Sequence, residues 1–495
     1  MNKILLIIIF NLGAAFCSAQ VYFNQAYNDT NFLSESSTNI LILGDQSFLL
    51  PGVYTPNQEE LAVGFGIRSI NELGEVVEFN SIVSPQNFVI YPNLSDAFIH
   101  TSDGGYLQST AKGGGYLLKL NSDLTIHWEL TVDSITTFYR AVELTNGNIF
   151  VCGFTYATNH INLFWISPDG AVLNHGYADP YPLGDFYQIG RIIELSNGDL
   201  LFNGGWTTGF SNNQMMFRTD SAGVIEWQKQ WNYDYQDWIQ YPVIESPSTA
   251  TSVFGHIDTV LNPGDIARDN FRGRLGTMEV DLMTGDTSNV ILYEPELAWY
   301  WLTDFTKTPD NGYAALGYAV SLEHTVIYSF ITKLNENRQF EWHKKYLHES
   351  EELDSTQFAF ASDFEVTADS GFVVAGHWDD IEMLGKQMPW VFKVDRCGDL
   401  VWSNCGADNV SHAELGLTSL HVWPNPASNM VNMTSKQEFE SITIRDITGR
   451  IVYTSAMNNH VLQFQIDVSM LQNGLYLLEV DFGNRVVAVQ RLVVE

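Results

Sequence analysis

Short apolar runs broken by turn residues recur along most of this chain, and one stretch shows the unit most clearly. From Thr303 to Tyr346 it reads TDFTKTPDNGYAALGYAV, then a variable piece, then YSFITKLNENRQFEWHKKY. Asn311-Gly312 leads into an apolar run closed by Gly317, and a second run reaches Lys333, turns at Asn335 to Asn337 and ends on Trp342. Alternation and turn residues signal two strands here, and short apolar or aromatic runs on either side predict two more.

A fixed spacing counts the copies. A cation precedes a Trp by nine positions at Lys119/Trp128, Arg218/Trp227, Lys333/Trp342 and Lys393/Trp402. Gly223 and Gly398 follow their cations by five, and Gly170 follows Trp165 by five in a copy without the final Trp. The opening turn recurs at Asp103, Asn146, Asn197, Asn311 and Ser370. Trp128 to Trp402 then spans five periods of about 55 residues, the range of four-stranded propeller blades. Weaker copies at 62–79 and 246–286 bring the expected count to seven blades, with six as the alternative. The Trp side chains are read as wedges filling the space between blades, each worth roughly 2 to 3 kcal/mol by area burial.

The amino-terminal stretch has a different pattern. Lys3, the apolar run from Ile4 to Phe16 and the small residues Cys17-Ser18-Ala19 predict a signal peptide over 1–19, cleaved before Gln20. Phe16 stands where a lipoprotein signal wants a small residue, so Cys17 is not read as lipidated. No later run is long and apolar enough for a transmembrane helix. The expected organisation continues with an N-terminal segment 20–37, a propeller 38–405, a linker 406–418 and a separate domain 419–495.

Charge excludes some partners. With 24 basic and 58 acidic residues, the net charge of −34 repels nucleic acid and anionic lipid. No calcium loop, zinc ligand set, nucleotide fingerprint or hydrolase motif occurs, so no metal or cofactor is expected. Cys397 and Cys405 flank GDLVWSN in an exported chain and are the candidate disulfide, closing the last blade; Cys152, inside IFVCGF, is read as a buried core residue.

Function is expected in the variable connections between copies, where propeller loops gather on one face. Trp231, Tyr233, Tyr235 and Trp238 alternate with acids, and Trp299 and Trp301 lie in YEPELAWYW. Such rings can stack on sugars while carboxylates take hydroxyl hydrogen bonds; the alternative is that they pack between blades. Asp304 and Asp363 each stand seven before an opening-turn residue on the innermost strand. They are candidates for a paired acid and base in glycoside chemistry, although repeat equivalence alone also aligns them. No catalytic constellation is recognised, and the expected role is binding of a glycan or a surface protein. A polysaccharide hydrolase or lyase acting in the channel is the alternative, and a structural surface component a further one.

Beyond Cys405 the rhythm changes. Alternation in Ser441 to Ile444 and Leu462 to Val468, with turns at Asp446 to Gly449 and Asn473-Gly474, predicts a small antiparallel Ig-like sandwich, its first strand kinked at an edge by Pro424 and Pro426. This segment resembles the type A C-terminal sorting domain of the type IX secretion system of Bacteroidota, through WPNPAS, IRDITGRIV, LQNGLYLLEV and the closing VQRLVVE. The resemblance implies that Pro424, Asn425, Pro426, Asp446, Gly449, Arg450, Gly474, Tyr476 and Arg491 carry a sorting signal read by that machinery. It further implies passage through the periplasm to the outer surface or the medium, with removal of the domain on the way. The blade pattern itself is similar to secreted propellers that precede such domains.

Overall fold

The structure, a computed structural model, describes residues 22–400 and 421–494 except 45, 57–62, 87, 90–96, 156–159, 181–185, 209–210, 233–240, 261–270, 295–296, 321–325, 349–357, 381–385, 424, 436–437, 447–449, 458–460 and 482–486. Tyr22–Cys405 form one compact unit, and Gly406–Glu495 belong to another. Among the described residues no helix is long and apolar enough to cross a membrane.

The larger unit is a succession of four-strand antiparallel meanders like propeller blades, labelled I to VII in chain order. Meander III is the plainest: Thr137–Glu143, Ile149–Phe154, Ile161–Ile166 and Val172–Ala178 pair in sequence order. Meander IV (Phe186–Glu194 to Ile225–Asn232) repeats it. Meanders I (Phe32–Ser37 to Val76–Gln86) and II (Phe98–His100 to Ile126–Val132) each add a two-residue strand. Meanders V (Tyr241–Ser246 to Thr287–Leu292), VI (Leu297–Lys307 to Phe340–Tyr346) and VII (Phe358–Val366 to Lys386–Val394) are joined by one or two register pairs between the third strand of one and the first strand of the next. The central strands are buried on both faces, as Ile327–Leu334 shows, whereas an outer strand such as Phe340–Tyr346 is largely exposed.

The cation of each repeat does more than mark a spacing. Lys119 donates from Nζ to Asp103 of the opening turn at 2.9 Å, and the same carboxylate accepts the Thr101 hydroxyl at 2.7 Å and the Gly105 N–H at 3.0 Å. Meander VI repeats this with Lys333, Asp310 and Gly312, and Arg218 reaches Asp199 in meander IV. The Lys119 hydrogen bond, with that from Thr101, holds the Asp103 carboxyl well below the usual carboxylate range.

Across the strand pair the cation faces the Trp, Lys119 opposite Trp128, Arg218 opposite Trp227 and Lys333 opposite Trp342. Each ring packs on the outer turn of the next meander, Trp128 on Gly170, Trp227 on Gly285 and Trp342 on Gly398. Trp227 also donates its indole N–H to Leu282 O at 2.9 Å. This is the wedge expected from the sequence. Gly285 adopts φ +73, and a Cβ there would stand 2.5 Å from the Trp227 ring. Gly285→Ala is expected to destabilise the domain by about 2 kcal/mol, combining left-handed strain with displacement of the ring. Urea unfolding followed by Trp fluorescence reads this, and an unchanged midpoint contradicts the wedge.

The last meander departs from expectation. The repeat spacing predicts its outer strand at Trp402, with residues 20–37 outside the repeats. Instead Phe23–Ala26 pairs antiparallel with Lys386–Val394, and Phe23 faces Lys393 where other copies have Trp. The Phe23 ring then packs on Gly74, the outer turn of meander I. Phe32–Ser37 also belongs to meander I, so the segment 20–37 carries two strands of the sheets. Trp402 lies outside the described residues. Cys397 is disulfide-bonded, its candidate partner Cys405 lies outside the described residues, and Cys152 is a free buried thiol pushed up to about 12 by burial.

In the smaller unit His421–Trp423, Met430–Thr434 and Gln463–Asp467 form one sheet, and Ile451–Ala456, Ser441–Asp446, Gly474–Asp481 and Val487–Val494 another. Val431, Ile466, Ile444, Leu478 and Leu492 bring both sheets into one core.

Candidate functional site

Four innermost strands carry a β-bulge at the same place, and each bulge is followed by a charged residue: Arg140, Arg191, Asp304 and Asp363. All four are seven positions before a residue of positive φ, namely Gly147, Gly198, Asn311 and Ser370. A bulge re-aims the following side chain, and here it sends each one to a neighbouring meander. Arg140 donates to Gly190 O of meander IV. Arg191 donates from Nη2 to Asp304 Oδ1 at 2.6 Å and from Nη1 to Phe305 O at 3.0 Å, passing over the Tyr241 ring of meander V at 5.4 Å. Asp363 Oδ2 accepts the Ile40 N–H at 3.0 Å and the Asn39 amide at 3.2 Å from meander I. The two Asp residues therefore fasten VI to IV and VII to I, which is work that repeat geometry alone requires.

Three positions earlier on the same strands lies an aromatic rung. Trp301, a sequence candidate, is half-buried and stacks on its cross-strand partner Tyr318, with centroids 5.5 Å apart and planes at 27°. In meander VII the equivalent pair is Phe360 and His377, stacked at 4.9 Å and 23°. Tyr318 meets Phe360 edge-on at 5.0 Å, so the two pairs join. His377 Nε2 lies 3.9 Å from Asp379 Oδ1. Burial pushes the His377 imidazole down to about 4 and the Asp379 carboxyl up to about 6, the latter against a hydrogen bond with Gln387. Meanders III and IV have Thr137 and Gln188 at this rung, above their Arg residues.

Of the other loop candidates, Trp231 is partly buried and packs with Phe254 and Met278 between meanders IV and V, the alternative weighed for it. Tyr233, Tyr235 and Trp238 lie outside the described residues, as does the Trp299 side chain. Sequence reading passed over Tyr318, Phe360, His377 and Asp379. Their signal was present: Trp301 and Phe360 are both ten before the opening-turn residue, and Tyr318 and His377 both seven after it.

Among the described residues one group has metal-ligand geometry, Asp395, Cys397 and Asp399. Its chemistry does not fit an ion: Cys397 is in a disulfide, Asp395 Oδ1 accepts the N–H groups of Cys397 and Asp399 at 2.9 Å, and Asp399 pairs with Lys344.

In the smaller unit the motif residues serve the fold. Asn425 Oδ1 accepts the Val493 N–H at 2.8 Å, and Asn425-Pro426 is cis. Arg450 bonds Asp446 through its backbone N–H at 3.1 Å and its side chain at 2.9 Å. Tyr476 is buried and donates to Gln472 O at 2.7 Å, Gly474 opens the same strand, and Arg491 is opposite Leu477. Pro424, Gly449 and the Arg491 side chain lie outside the described residues.

No curated protein matches the chain significantly. Solved structures similar to it include the Pan2 WD40 domain of Neurospora crassa (12% identity, 76% of this chain and 96% of that one, TM-score 0.42). A lignostilbene dioxygenase of Pseudomonas brassicacearum is comparable (12%, 75% and 92%, TM-score 0.43). So is a protein of unknown function from Bacteroides caccae (10%, 57% and 90%, TM-score 0.36). At these scores the likenesses carry no functional argument. The family described as secretion system C-terminal sorting domain matches residues 421–495. The chain therefore ends in a type IX secretion sorting domain, and the protein is secreted to the cell surface or the extracellular space.

Proposed function

We propose that meanders I to VII are the blades of a closed seven-bladed β-propeller, and that this exported propeller is a binding or adhesion protein for a glycan or a surface protein. The observation that supports closure is the set of ring-on-turn contacts that join II to III, III to IV, IV to V and VI to VII, and that link VII back to I through Phe23 on Gly74. Binding is favoured over turnover because both candidate catalytic carboxylates, Asp304 and Asp363, accept hydrogen bonds that hold blades together. The half-buried aromatic rung beside them is the kind of surface that recognition uses.

The test exposes purified protein to polysaccharide and protein fractions of bacterial cell surfaces, while newly released sugar ends are monitored. Saturable retention on one fraction without release is expected. Sugar release would replace this reading with a hydrolase or lyase, and no retention on either fraction would leave a structural surface role.

A further inference from the structure

The rung at blades VI and VII has a feature that packing does not account for. Its rings form one contact path, Trp301 to Tyr318 to Phe360 to His377, ending at Asp379. Trp301, Phe360 and Asp379 are only half-buried, so the path reaches the surface. Yet His377 Nδ1 and Asp379 Oδ1 are buried without a hydrogen-bond partner. Leaving buried polar atoms unpaired is costly, and native interiors rarely do so without a bound water or ligand. An unpaired carboxylate oxygen and imidazole nitrogen at the end of a row of rings match the faces of a pyranose: apolar C–H groups for the rings, hydroxyls for the polar atoms.

We infer that the aromatic rung formed by Trp301, Phe360, His377 and Asp379 is a subsite for a neutral sugar ring. Asp379 accepts a sugar hydroxyl, His377 Nδ1 exchanges a hydrogen bond with a second, and Trp301 and Phe360 stack on the ring. Neutral rather than acidic sugars follow from Asp379 in the subsite and from the chain's net charge of −34. This deepens the binding reading and depends on it.

The test is calorimetric titration of the full-length protein with neutral hexasaccharides of glucose, mannose and N-acetylglucosamine, and with an acidic oligouronate. Trp301→Ala and Asp379→Asn are expected to weaken binding of a neutral hexasaccharide by about tenfold or more, and Trp301→Phe to retain most of it. Near-UV circular dichroism checks that each variant keeps its fold. Equal binding by all variants would place the glycan elsewhere, overturning this inference while the binding reading stands. Binding of the oligouronate alone, or of none of the probes, would overturn the subsite. In the latter case retention on a protein fraction would show whether the binding reading survives.

Discussion

Deleting Tyr22 to Tyr27 is expected to abolish cooperative unfolding of the propeller unit, although it removes only six residues of the chain. These residues hold three blades at once. Phe23 and Tyr27 are buried, and Tyr27 donates its hydroxyl to Gly74 O of blade I at 2.8 Å. Asn24 accepts the Trp390 indole N–H at 2.6 Å within blade VII and donates to Leu347 O, beyond the last strand of blade VI, at 2.8 Å. Tyr22 donates to the opening-turn Asp369 at 3.0 Å. Losing two buried rings costs about 3 to 6 kcal/mol, and stranding the buried Trp390 N–H about 1 to 3 more. A domain's net stability is only about 5 to 15 kcal/mol, so the sum is a large part of it. Urea titration monitored by near-UV circular dichroism would show a broad, low-denaturant transition in place of a sharp one. Phe23→Ala alone should cost about 3 to 5 kcal/mol, the penalty of emptying one buried aromatic site. A deletion variant with an unchanged transition would mean that this strand does not hold the first and last meanders together.

That prediction was not legible in the sequence, and the reason is physical. A repeat of about 55 residues advertises contacts made within a copy or between neighbours, because the same residue types recur at the same offsets. The cation and Trp spacing was visible for that reason. So was the turn at Gly170, Gly223 and Gly398, where only a residue that accepts positive φ can lie under the neighbouring ring. The pairing of the first strand with the last meander is a single event between the two ends of the repeat series. Phe23 and Lys393 are cross-strand partners at opposite ends of it, and Phe23 carries none of the surrounding repeat pattern. Lys393/Trp402 satisfied the spacing rule equally well on paper.

The candidate site divides in the same way. The equivalence of Asp304 and Asp363 was readable, but not that Arg191 reaches Asp304 across a whole blade, since a bulge re-aims it. The sequence shows Trp301 as an aromatic in a variable connection, whereas its value lies in register: it faces Tyr318, and the same rung one meander on holds Phe360 and His377. Offsets from the opening turn contain that information, and aromatic density alone does not. The sorting domain is the most legible part, because its motif residues occur in combination and several of the described ones close local contacts, such as Arg450 with Asp446 and Asn425 with Val493.

Export should depend on the sorting domain as a folded object, and two single substitutions separate this from recognition of a linear motif. Leu478 is completely buried in the shared core of the two sheets, whereas Met470, on the adjoining connection, is 90% exposed. Leu478→Asp buries a carboxylate without a partner and is expected to cost several kcal/mol, enough to unfold so small a domain. Met470→Asp leaves the core intact and should change stability by less than about 0.5 kcal/mol. Neither substitution touches Pro424, Asn425, Pro426, Asp446, Gly449, Arg450, Gly474, Tyr476 or Arg491. Surface labelling and fractionation of cells should therefore find Leu478→Asp retained in the periplasm and Met470→Asp delivered outside, as should removal of 419–495 abolish delivery altogether. The larger unit has a hydrophobic core of its own, so the retained protein should still show its β-sheet circular dichroism. Efficient export of Leu478→Asp would mean that the machinery reads the motif residues as a linear signal. The two-sheet fold would then serve the domain's stability rather than its recognition.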